Sequence, residues 1–104
     1  AEVIVWDLKK KKSISLAGHT KWVYGCAFHP TLPIAVTASY DRTLRFWDVE
    51  KGVNTLTLFG FDHELYTVAF SKDGERLIIT ETGGLAHILN LYLPVSKPDS
   101  PFVK

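Results

Sequence analysis

The four histidines, His19, His29, His63 and His87, are the side chains of this chain best suited to metal binding or acid–base chemistry, and His19 with Asp41 makes an imidazole–carboxylate pair. A metal centre needs histidines at ligand spacing such as His-x3-His, and none of the four is so placed. Cys26 is the only cysteine, so it has no Cys partner for a zinc site or a disulfide; it fits a reducing compartment or an inert core thiol. No nucleophile elbow, phosphate-cradling glycine loop or HExxH helix is present, and "TGG" at 82–84 reads as a tight turn. What remains for His19 and Asp41 is hydrogen bonding: the imidazole donates and accepts, and the carboxylate accepts. We expect no metal, no cofactor and no catalytic residue.

The elements that hold these residues read as strands. Short alternating or β-branched runs recur at 3–8, 13–17, 23–28, 34–39, 43–49, 53–59, 65–70, 76–82 and 85–93. Turn-forming stretches such as "HPTLP", "SYDR", "SKDGE" and "TGG" separate several of them. Almost nothing has helical period, so the fold class expected is all-β. Shifting the chain by 42 positions lays "SISLAGH" on "TLTLFGF", "VYGCAF" on "LYTVAF" and "TLRFWDV" on "LAHILNL". The pairs "WD" at Trp6-Asp7 and Trp47-Asp48 lie about forty residues apart. The chain therefore reads as two copies of a four-strand unit, about 9–50 and 51–93, preceded by a closing strand at 3–8.

Gly18-His19, an apolar strand ending in Phe28, a Pro-containing turn, a Thr/Ser-rich strand, Asp41 and Trp47-Asp48, all in register, resemble the WD-repeat β-propeller family. The resemblance covers residues 1 to 93 and implies blades of four antiparallel strands, as part of a larger propeller. It implies that His19, Thr37, Asp41 and Trp47 form a buried hydrogen-bond chain, which suits a strand covered on both faces by neighbouring blades. An unpaired member would cost about 1–3 kcal/mol. Asp48 is expected to hold the turn that follows its strand. In the second copy Phe61, Ile79, Gly83 and Leu89 replace the four polar residues together. A fully apolar site is better than a half-satisfied network, so this copy is expected to fold without one.

The resemblance also implies a partner-binding rim. It is built from the loop after Gly-His, the start of the next strand and the residue before the turn aspartate. These positions are Thr20, Lys21, Trp22, Tyr24 and Tyr40, with Arg42 beside them, and Asp62, Glu64, Tyr66 and Thr82 in the second copy. Trp and Tyr bury much area with little entropy loss and serve as interaction anchors. Tyr40, in a turn, is expected to be the most exposed of them.

Composition agrees with an ordinary globular domain: 104 residues, 46% hydrophobic, 22% charged, net charge +1. Nothing global attracts nucleic acid or anionic lipid. Only Lys9, Lys10, Lys11 and Lys12 form a charge run, read as a solvated loop that also discourages strand-edge pairing; the lesser reading is a basic contact with nucleic acid, anionic lipid or an acidic partner through these four lysines. No apolar run reaches the ~20 residues of a membrane span, and the start has no signal-peptide pattern. The chain opens straight into a strand, as an excerpt of a longer one would, and residues 94–104 read as an exit linker. The expected function is a non-catalytic protein–protein scaffold in an intracellular assembly, cytoplasmic or nuclear. The alternative is a regulatory or targeting propeller segment attached to an enzyme or signalling ATPase.

Overall fold

A computed structural model describes residues 1–91; the exit linker and the end of the 85–93 run lie outside the described residues. Nine strands follow one another: β1 (Glu2–Asp7), β2 (Lys12–Ala17), β3 (Val23–Phe28), β4 (Ile34–Ser39), β5 (Leu44–Asp48), β6 (Val53–Leu58), β7 (Leu65–Phe70), β8 (Arg76–Glu81) and β9 (Ala86–Asn90). Every run expected from alternation is a strand, and the described residues contain no helix. Accordingly, no helix here is long and apolar enough to cross a membrane.

The strands form three antiparallel sheets, β1-β2, β3-β4-β5-β6 and β7-β8-β9. Repeat and sheet are thus out of step by one strand. The first strand of each sequence unit, β2 or β6, pairs with the last strand of the unit before it, β1 or β5. Only the middle sheet has four strands within the described residues. The chain is therefore a series of propeller blades that share their repeats across sheet boundaries.

Packing explains why β4 reads "IAVTAS". Its side chains are buried from Ala35 to Ser39, because this strand is covered on both faces. Val36 and Ala38 face β7 and β8, joining Leu44, Phe46, Leu65, Val68, Leu77 and Ile79 in one core. Ala35 faces the other way, where it meets Trp47, Leu16 and the partly buried Val3, Val5 and Ile14 of the β1-β2 sheet. The inner strands β3 and β7 approach closely at Gly25, where a Cβ would lie 3.0 Å from the Val68 nitrogen. Cys26 is no core thiol: on β3 it is exposed, with Tyr24 and Phe28 on alternate positions beside it.

The aspartates of both Trp-Asp pairs do the same work. Asp7 Oδ1 accepts the N–H groups of Lys9 and Lys10 at 3.0 Å. Asp48 Oδ1 accepts those of Glu50 and Lys51 at 3.0 and 3.1 Å. Both are Asx turns that carry the chain from one strand to its neighbour. The Lys9–Lys12 stretch is this exposed turn and the first residue of β2.

Candidate interaction rim and its buried support

At the centre of the middle sheet, β4 and β5 place Thr37 and Trp47 side by side, and the loop after β2 brings His19 over them. The Trp47 indole N–H donates to Thr37 Oγ1 at 2.8 Å. Thr37 Oγ1 and His19 Nε2 are 2.5 Å apart, and His19 Nδ1 lies 2.8 Å from Asp41 Oδ2. One proton arrangement satisfies every atom: Thr37 donates to Nε2, and Nδ1–H donates to the carboxylate. That arrangement keeps the imidazole neutral. Burial pushes the His19 pKa below its ordinary 6.5, against the pull of Asp41 in the other direction. Gly18 precedes this histidine because its position is crowded: a Cβ there would meet Arg45 Nη1 at 2.8 Å and Trp47 at 3.2 Å.

Asp41 receives more than the sequence suggested. Thr43 gives its Oδ1 both a backbone N–H at 2.9 Å and a hydroxyl at 2.6 Å, while Thr20 N–H donates to Oδ2 at 3.0 Å. Burial alone would raise this carboxyl; the hydrogen bonds from Thr43, His19 and Thr20 outweigh it and lower its pKa to about 2. Ser39 adds a second tie, donating its hydroxyl to Trp22 O at 2.9 Å and accepting Asp41 N–H at 3.1 Å. Sequence reading missed Thr43 and Ser39. The Asp-x-Thr spacing of an Asx turn was the available signal for Thr43.

These ties clamp together two loops, the one carrying Thr20, Lys21 and Trp22 and the one carrying Tyr40 to Arg42. On the edge so formed, Tyr24 is the hub of an aromatic strip. Its ring centroid lies 6.2 Å from Trp22, 4.8 Å from Tyr40 and 5.4 Å from Tyr66 on the neighbouring sheet. Trp22 is 70% exposed, Tyr66 51% and Tyr24 45%. Tyr40 is only half-buried, so the expectation that it stands out furthest is corrected. Its N–H is bound to Trp22 O at 2.9 Å, which folds the turn back and sets its ring against Tyr24. A polar bridge spans the same two sheets: Arg42 Nη2 reaches Glu64 Oε2 at 3.2 Å, and Thr82 Oγ1 donates to Glu64 Oε1 at 3.3 Å. Asp62 is exposed on the loop before Glu64.

The second copy is less apolar than its replacements implied. Ile79 is fully buried, and Phe61 and Leu89 pack against the core. Beside them, however, His87 Nε2 meets the buried Glu81 Oε2 at 2.6 Å, with Phe61 edge-on to the imidazole. Glu81 stands where Ser39 stands in the first copy, and His87 where Arg45 stands. His63 lies against Gly83, with no aspartate or tryptophan chain to join. Among the described residues no group of three or more His, Cys, Asp or Glu could hold a metal ion.

The repeat in which this network lies has a known counterpart: residues 10–48 match the family model for the WD domain, G-beta repeat. The chain carries a WD repeat. Coronin-7 of Rattus norvegicus is 34% identical over 84 residues, which is 80% of this chain and 9% of that protein. Periodic tryptophan protein 2 of Arabidopsis thaliana is 36% identical over 85 residues, again 80% of this chain and 9% of the relative. Nuclear distribution protein PAC1 of Ajellomyces capsulatus is 33% identical over 67 residues, 64% of this chain and 15% of that protein. The chain thus spans about a tenth of the length of these first relatives. WD repeats generally mediate protein–protein contacts, and none of these three relatives has an enzyme's name.

Proposed function

We propose that the chain is a non-catalytic interaction segment of a WD-repeat propeller, binding partner proteins within an intracellular assembly. The observation that carries this reading is the exposed aromatic strip, with Trp22 on a loop that Asp41 and Ser39 hold in place, Tyr24 near the start of β3 and Tyr66 near the start of β7. Pre-ordered anchors of this kind lose little freedom when a partner covers them. His19, Thr37, Asp41 and Trp47 are the support and make no contact with the partner. The basic turn at Lys9–Lys12 is a solvated connection and takes no nucleic acid or anionic lipid.

Site-specific photo-crosslinking tests this. A photoreactive amino acid in place of Trp22 is expected to capture a discrete partner protein, while the same group at the exposed Thr55 of β6 captures none. Equal capture from both positions, or none from either, contradicts the assignment.

A further inference from the structure

Extending the rim assignment above and resting on it, we propose that the aromatic strip recognises a proline-rich peptide segment in the polyproline II conformation, with a carboxylate beside it held by Lys21. Four observations select this partner. The ring of Tyr24 lies 4.8–6.2 Å from those of Trp22, Tyr40 and Tyr66, so the four rings gather around one hub and do not stand apart as the walls of a box. They make instead a continuous corrugated surface. From Trp22 through Tyr24 to Tyr66 it reaches at most ~12 Å, about four residues of polyproline II at ~3 Å per residue.

The hydrogen-bonding chemistry matches as well. Neither the Trp22 indole N–H nor the hydroxyls of Tyr24, Tyr40 and Tyr66 have a hydrogen-bond partner among the described residues. The strip therefore offers donors beside ring faces. A polyproline II segment has free carbonyls along its length and no N–H at its prolines, which is the complement. Beside the strip, Ala1, Thr20, Lys21, Trp22 and Tyr40 line an open depression of about 480 Å³, which has room for a pyrrolidine ring.

Charge sets the flank. Arg42 is occupied by Glu64, so that pair offers the partner no net charge. Lys21 is exposed and has no carboxylate within 4.0 Å among the described residues, whereas Asp62 stands at the second repeat's end of the rim. An acidic residue in the partner thus belongs at the Trp22 end.

The test is fluorescence anisotropy with dye-labelled synthetic peptides and the full 104-residue chain. The probe is Glu-Glu-Pro-Pro-Leu-Pro-Pro; its counterparts replace every proline by alanine, or the two glutamates by lysine. The probe should bind saturably, and the alanine peptide at least about tenfold more weakly. Trp22→Ala should cost a similar factor. Lys21→Glu should reverse the preference between acidic and basic flanks, and as an exposed substitution it leaves folding intact. Equal binding of the alanine peptide, no binding of the probe, or indifference to Trp22→Ala overturns the polyproline assignment. If crosslinking from position 22 still captures a partner in that case, the rim stands and only the ligand class falls; if it captures none, both fall.

Discussion

At the scale of single residues, the His19–Asp41 pair shows how geometry separates support from chemistry. The imidazole has a partner at each nitrogen, and the carboxylate accepts bonds from His19, Thr20 and Thr43, so neither group has a face open to a substrate. Thr37 is the pivot. Thr37→Val keeps the shape and removes the hydroxyl, leaving the Trp47 indole and His19 Nε2 buried without partners. The expected cost is about 2–5 kcal/mol, read as a loss of roughly 10 °C or more in thermal melting followed by circular dichroism. Acid should act on the same network with one sign. His19 and His29 both hold their pKa values below 6.5 through burial, so the unfolded chain binds more protons as pH falls below 6.5. Their contribution is complete above 6.5 and declines below it. Asp41 contributes fully above its ordinary 3.8 and loses that contribution as pH falls towards about 2. The Asp41 part is on the order of 2 kcal/mol. Chemical denaturation between pH 8 and 3 should therefore show stability falling monotonically on acidification, and a rise below pH 6 would contradict the neutral-His19 network.

At the scale of elements, strand positions were legible because each element is covered on at least one face and alternates accordingly. β3, β4 and β7 match the sequence reading at both ends; β1, β2, β5, β6 and β8 differ by one residue at one or both ends; and β9 stops at Asn90, short of a run read to 93 whose last two residues lie outside the described ones. The tetrad was expected through the family resemblance that Gly18-His19, Asp41 and Trp47-Asp48 carry, and its members stand in hydrogen-bond contact. What alternation could not reveal is which sheet a strand joins. β2 and β6 read the same whether they pair forwards or backwards, and only the pairing of β2 with β1 and of β6 with β5 decides it. The Glu81–His87 pair was hidden for a related reason: neither residue belongs to the pattern, and their proximity depends on the β8–β9 register, where Thr80 faces Ala86. Turns give the sharpest element-scale prediction. Gly74, at φ 76°, would set a Cβ 2.3 Å from the His29 ring, while Gly84, at φ 89°, has nothing within 4 Å. Both substitutions to alanine meet the ~1–2 kcal/mol cost of a left-handed backbone. Gly74→Ala must also displace a buried imidazole that accepts the N–H groups of Thr31 and Leu32. Gly74→Ala should therefore lower the melting temperature clearly more than Gly84→Ala, and equal shifts would argue against the His29 packing.

At the scale of the whole molecule, two kinds of exposed apolar surface have different meanings. The rim is exposed where its own loops are clamped. The flanks are exposed because the two-, four- and three-stranded sheets do not cover one another at the ends. Trp47 is 1% exposed between two sheets, and Trp6, one repeat earlier, is 66% exposed because no described sheet covers that side of β1. Ile4 on the same strand, and Ile78 and Ile88 at the opposite flank, are open in the same way. Faces of that kind bury themselves against blade-like neighbours, as β3 and β4 do against β7 here. Assigning partner recognition to the rim requires that these flanks be blade-packing surfaces. The direct measurement is the solution mass of the 104-residue chain by light scattering behind a sizing column, over a hundredfold range of concentration. Flanks that pack against blades predict a mass above 11.7 kDa that grows with concentration, whether as discrete oligomers or a broad distribution. A single species of 11.7 kDa at every concentration would mean that the flanks are stable in water, and would contradict the division of the surface into rim and blade faces.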